Sequence, residues 1–127
     1  MARVVRKGEA KSLELPGRIS CEMFSGRVGA GGVTLRLVEI PVPLPDETPR
    51  PPHRHHDFEE CIYVVSGQGV THADSGEHRL SAGDAILIPP GESHVTRNTG
   101  AEPLVLLCFF PVADVAAGTS EPGASAS

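Results

Sequence analysis

Apolar residues in this chain fall in short bursts, and they alternate with polar ones instead of recurring at helical spacing. Val33–Ile40 is the firmest case: Val33, Leu35 and Leu37 alternate with Thr34 and Arg36. That period of two predicts a strand with the leucines in the wall of the fold. Weaker strand signals lie at Arg3–Arg6, Lys11–Leu15 and Ile19–Phe24. Phe58–Val65 reads as another strand. Gln68–Ala73 and Glu77–Leu80 form a hairpin turning at Asp74-Ser75-Gly76. Asp84–Pro89, Ser93–Arg97 and Leu104–Phe110 complete the set. Leu35, Leu37, Ile62, Val64, Ile86 and Ile88 are the expected barrel wall. Many short strands between tight turns predict an all-β sandwich or barrel.

The breaks in this pattern mark the organisation. Gly26–Gly32 is a glycine-rich turn. Pro41–Pro52 carries six prolines, so it is neither helix nor central strand. It reads as an ordered loop, or a lid beside the histidines that follow. From Ala113 the chain becomes Ala, Gly, Ser, Thr and Pro, too poor in apolar surface to order itself. The expected division is therefore 1–32, strands at a barrel edge or dimer contact; 33–112, the barrel core; and 113–127, a disordered tail. A length of 127 residues fits one domain.

Composition narrows the partners. A net charge of −5, with no basic run, argues against nucleic acid. No apolar stretch approaches the roughly 18 residues of a membrane helix. Met1–Lys7 lacks the apolar core of a signal peptide, so the expected location is cytoplasmic. Cys21, Cys61 and Cys108 follow no metal or redox spacing and read as buried, inert thiols. Both faces of Phe58–Val65 are apolar, which predicts a homodimer covering the outer one.

The chemistry concentrates in two segments: His53-Arg54-His55 with Glu60 and Gly67, and Gly83, Pro89, Gly91, His94 and Asn98. Three imidazoles and a carboxylate are a chelating set for one divalent transition metal. Residues two apart on a strand share a face, so His53 and His55 can aim at one point while His56 cannot. Glu59 and Glu60 face opposite ways, and alternation alone does not choose between them. Pro89-Pro90-Gly91-Glu92 reverses the chain ahead of His94. Asn98 is expected to bond loop backbone. His56 and Asp57 read as solvated loop, His72 as a hairpin or cavity residue, His78 as surface, and Tyr63 as packing at a sheet or subunit interface. Arg36 and Arg97 are candidates for a substrate carboxylate.

These residues resemble the cupin superfamily, whose motifs run G-x5-H-x-H-x3,4-E-x6-G and G-x5-P-x-G-x2-H-x3-N. The second is complete here as Gly83, Pro89, Gly91, His94 and Asn98. The first is present as His53, His55, Glu60 and Gly67, a spacing that favours Glu60 over Glu59, with Glu47 in place of the leading glycine. The resemblance covers Val33 to Phe110 and is closest to small single-domain cupins. It implies one antiparallel double-stranded β-helix, a jelly-roll barrel, with His53, His55, Glu60 and His94 as metal ligands.

Such a site suits Fe, Mn, Zn, Ni, Co or Cu, and an octahedral ion so held keeps two positions open. The expected function is activation of an oxygen-bearing small-molecule substrate, by dioxygenase-like, cyclase, isomerase or lyase chemistry. The alternative is a non-catalytic barrel that binds a sugar-like ligand.

Overall fold

The computed structural model describes residues 1–120. Eleven strands are named in chain order: β1 (Lys11–Leu15), β2 (Arg18–Phe24), β3 (Thr34–Ile40), β4 (Arg54–His55), β5 (Glu60–Ser66), β6 (Gln68–Ala73), β7 (Gly76–Ser81), β8 (Ala85–Ile88), β9 (His94–Asn98), β10 (Leu104–Phe110) and β11 (Thr119–Ser120). The described helical structure is limited to three-residue 3₁₀ turns. No described helix is long and apolar enough to cross a membrane.

All the pairings are antiparallel. One sheet has the order β1-β2-β3-β10-β5-β8, a second has β7-β6-β9, and β11 pairs with β4. The fold is the expected all-β jelly roll. Its core lies between the sheets, where Val38, Ile40, Ile62, Val64, Ile88, Leu104 and Leu106 pack with Leu80 from the smaller one.

Local chemistry accounts for the turns. Ala73 pairs with Gly76, so the β6–β7 hairpin closes over Asp74-Ser75. Gly67 has φ +86°, and a Cβ there would stand 2.6 Å from the Pro103 carbonyl oxygen. Glycine is therefore required both by conformation and by the close approach of the 103–104 backbone. Asn98 does what was expected of it. Its Nδ2 donates to the carbonyls of Ile40 (2.9 Å) and Glu102 (2.8 Å), and its Oδ1 accepts from Gly100 N–H (2.8 Å).

Three expectations change. Leu35 and Leu37 point away from the core, while Thr34, Arg36, Val38 and Ile40 point inward. Thr34 is affordable inside because its hydroxyl donates to the Val112 carbonyl (2.7 Å), and Arg36 because it faces the buried Glu22 carboxylate. Arg3–Arg6 forms no strand; Val4 is exposed and the segment leads into a 3₁₀ turn. Of the cysteines only Cys108 is buried; Cys21 is half-buried and Cys61 exposed.

Cys61 belongs to an apolar outer face. Register aligns it with Phe109 and Leu87, and Tyr63 with Leu107. Tyr63, Val65, Leu87 and Phe109 are each 39–54% exposed.

Asn98→Ala is expected to lower unfolding free energy by roughly 2–3 kcal/mol, since it strands the buried Ile40 carbonyl and two part-buried backbone groups of the β9–β10 turn. Urea denaturation with an unchanged slope would read this directly.

Candidate metal centre

The two histidine segments meet through their backbones. His53 N–H donates to the His94 carbonyl (2.9 Å), and His94 N–H returns the bond to the His53 carbonyl (2.8 Å). Gly91, at φ +83°, donates its N–H to the His55 carbonyl (2.7 Å). The Pro89–Gly91 corner thus docks on β4, and its glycine supplies the turn that sets His94 beside His53. On β5, burial alternates from Glu60 onward while Glu59 is exposed. Strand phase in the folded barrel therefore selects Glu60 as the inward carboxylate.

His53, His55, Glu60 and His94 come together, with one potential ligand atom from each lying within 4.8 Å of all the others. His55, Glu60 and His94 are buried. His55 Nε2 and His94 Nε2 each lie 3.1 Å from the same Glu60 oxygen, Oε1.

The tautomers follow from the outer partners. His94 Nδ1 lies 3.1 Å from the Glu92 carbonyl, which only accepts, so Nδ1 carries a proton. His55 Nδ1 lies 2.8 Å from Thr119 Oγ1, and that hydroxyl gives its single proton to the Val115 carbonyl (2.7 Å). Oγ1 must then accept from His55 Nδ1–H. In the neutral rings both Nε2 atoms are bare lone pairs aimed at a carboxylate oxygen. Three acceptors facing one another require a positive charge between them. Protons on Nε2 can supply it, and so can a cation. The donor set, two imidazoles fixed for Nε2 ligation plus a third imidazole and a carboxylate, fits a divalent transition metal.

The electrostatics agree. Burial alone would raise the Glu60 carboxyl, but hydrogen bonds from His55 and His94 hold it well below the usual carboxylate range. Burial likewise opposes charge on His94, yet its bond to Glu60 prevails and raises it. His53 is pushed down to about 3 by burial and then by His94, so it stays neutral. The Cys108 thiol, raised well above its ordinary range by burial and by Glu60, remains protonated beside the cluster. Phe58 stacks on the His55 ring with centroids 5.0 Å apart, and Phe110 meets it edge-on at 5.2 Å.

A cavity of about 240 Å³ opens from this cluster between the sheets. Its wall includes Arg18, Arg36 and Arg50 besides apolar residues of β3, β5 and β10. Arg50 comes from the proline-rich loop and donates through Nη2 to the Thr96 carbonyl. Burial, then Arg18 and Arg97, lowers it to about 10. Arg36 therefore reaches the cavity, whereas Arg97 holds the Arg50 carbonyl (3.0 Å) instead. His72 sits on the surface hairpin beside Glu77 (3.3 Å), and His78 beside Ser75 (2.9 Å). His56 is exposed and meets Ser120 (2.7 Å).

Arg18, Arg50, Cys108 and Thr119 carry no motif signal. Thr119 lies in the segment composition assigns to a disordered tail. Instead Val115 is buried against the core and β11 pairs with β4, so this segment is held against the barrel. Two buried anchors and one short strand outweigh a weak composition. The rest of the expected tail, 121–127, lies outside the described residues.

Thr119→Val is expected to weaken metal binding about 10- to 100-fold, because His55 loses the acceptor that fixes its tautomer. Thr119→Ser is expected to restore it. Competition against a chromogenic chelator measures both.

Comparison with known proteins places this geometry. Residues 43–110 match the family model of the cupin domain. The chain is 36% identical over 77 residues to the uncharacterized protein MJ1618 of Methanocaldococcus jannaschii, covering 61% of this chain and 60% of that one. It is 36% identical over 58 residues to the oxalate-binding protein of Thermotoga maritima, covering 46% and 48%. The matches thus span about half to three-fifths of those relatives. Among solved structures, the polyketide cyclase RemF of Streptomyces resistomycificus superposes with a TM-score of 0.69 at 26% identity, covering 87% of this chain and 80% of that one. The family match takes in more than half the residues and all four convergent side chains, and the chain belongs to the cupin domain family.

Proposed function

We propose that the chain is a metal-dependent small-molecule enzyme in which His53, His55, Glu60 and His94 hold one divalent transition metal ion. The supporting observation is the pair of Nε2 atoms converging on one Glu60 oxygen, 3.1 Å from each. When bound, such an ion supplies Lewis acidity, or redox chemistry in the case of iron, to an oxygen-bearing substrate. The protein's residues do the rest. Phe58 and Phe110 keep water from His55. Thr119 and the Glu92 carbonyl fix the ligand tautomers. The adjoining cavity sets which molecule reaches the cluster.

The likeness to a polyketide cyclase supports cyclase or isomerase chemistry on this scaffold, and dioxygenase and lyase chemistry use the same ligand set. The oxalate-binding relative favours a second reading, a barrel that holds a small acid without turning it over. Multiple turnovers by metal-loaded protein separate the two.

Wild-type protein is expected to carry about one ion per chain by elemental analysis. His53→Ala and His94→Ala are expected to lose it while far-UV circular dichroism keeps the β signature. Affinity is expected to fall as pH drops through the raised His94 value, because proton and ion compete for Nε2. Variants that retain wild-type metal content would sink the proposal.

We also propose a homodimer through the apolar outer face around Tyr63, Val65, Leu87 and Phe109. Sedimentation at micromolar concentration is expected to give twice the chain mass, and Tyr63→Glu to give the monomer.

A further inference from the structure

Although the chain as a whole is acidic, at −5, its cavity is not. The charged groups on the wall are three guanidiniums, Arg18, Arg36 and Arg50, against the single Glu60 carboxylate. Arg50 spends one donor on the Thr96 carbonyl, and a guanidinium has five. A low-dielectric cleft of one sign concentrates ligands of the other.

Arg36 is the best-positioned of the three. It projects from the inner face of β3, opposite Glu22 on β2 and Cys108 on β10. Glu22 is 2% exposed and is held by Ser25 Oγ and by Arg27 (3.4 Å), so it is a fixed abutment. Its Oε2 stands 3.7 Å from Arg36 Nη2, a loose contact that leaves most of the guanidinium unengaged. The guanidinium carbon lies 5.5 Å from the Phe110 ring centroid, and the His55 ring lies 5.2 Å from the same centroid. Arg36 and the histidine cluster are therefore separated by about one aromatic ring.

Even with Glu22 beside it, this end of the cavity leaves polar atoms unmatched. Arg36 Nε and Ser20 Oγ are the buried side-chain polar atoms with no partner among the described residues. Ser20 sits diagonally across the β2–β3 ladder from Arg36, on the same inward face. Two orphaned groups at one spot are a standing cost that an incoming anion relieves. Between this spot and the cluster the wall is apolar, formed by Val38, Leu106 and Phe110. A planar fork of donors above an apolar floor suits a carboxylate on a hydrocarbon body better than a phosphate.

We propose that the cavity binds a small organic acid, with its carboxylate on Arg36, its apolar body along Val38, Leu106 and Phe110, and its far end at the histidine cluster. This rests on the metal-site proposal for the reactive end only. Arg36, Ser20 and Arg18 all lie outside the 43–110 family span. The polar end of the site is thus supplied by β2 and β3, ahead of the matched span.

Calorimetry on the zinc-loaded full chain tests it with three probes: isovalerate, its neutral counterpart isovaleramide, and inorganic phosphate. Isovalerate is expected to bind at least tenfold tighter than either of the others. Arg36→Lys keeps a cation opposite Glu22 but loses the fork, and is expected to weaken isovalerate at least tenfold with zinc content unchanged. Amide binding equal to the acid, phosphate binding tighter than the acid, or wild-type affinity in Arg36→Lys would each overturn the proposal. The acid-versus-amide comparison uses the unaltered chain, so it stands even if the variant misfolds. Should the chain bind no zinc, the metal reading fails by itself. The same titrations on metal-free protein then decide the acid site.

Discussion

Everything at the centre of this barrel depends on one buried carboxylate. Glu60 stays ionised in the interior against the cost of burial because the His55 and His94 rings hydrogen-bond its Oε1. A buried anion without such compensation would be far more costly than any single packing contact is favourable. The demand is met from three separate parts of the chain: β4, β9 and, through Thr119, the C-terminal segment. The β4 segment is tied by backbone bonds to each of the other two, so the site and the closure of the barrel share their interactions.

The C-terminal segment makes this plain. Thr119 accepts from His55 and donates to the Val115 carbonyl, while Val115 is buried in the core. A hydroxyl with one proton transmits a requirement from the core to a ring nitrogen. The N-terminal strands do comparable work on the opposite side. Arg18 and Ser20 on β2, with Arg36 on β3, make one wall of the cavity polar and cationic. Local charge in the cavity is thereby opposite in sign to the charge of the whole chain.

Much of this was legible in the residues. Short apolar bursts bounded by turn residues located β5, β6, β7, β8, β9 and β10 to within a residue or two. The two histidine motifs named the four side chains that converge. Alternation failed on β3, where Leu35 and Leu37 pattern as core but face outward. The inward positions there are Thr34 and Arg36, whose polar groups face the Val112 carbonyl and the Glu22 carboxylate, both supplied by other parts of the chain. Composition failed at residues 113–120, since it averages over the buried Val115 and Thr119 that fix the segment. It failed again at Cys61, which sits on an apolar face that strand patterning cannot distinguish from a core face.

The sequence by itself determined the strand order along the chain, the turn positions and the identity of the chelating set, because these depend on spacing, on proline and glycine, and on residue type. Only the tertiary structure fixed the tautomers of His55 and His94 and brought Arg18, Arg36 and Arg50 to one cavity. Each of those outcomes depends on contacts between residues far apart in the chain, and no local pattern encodes a partner that arrives from another strand.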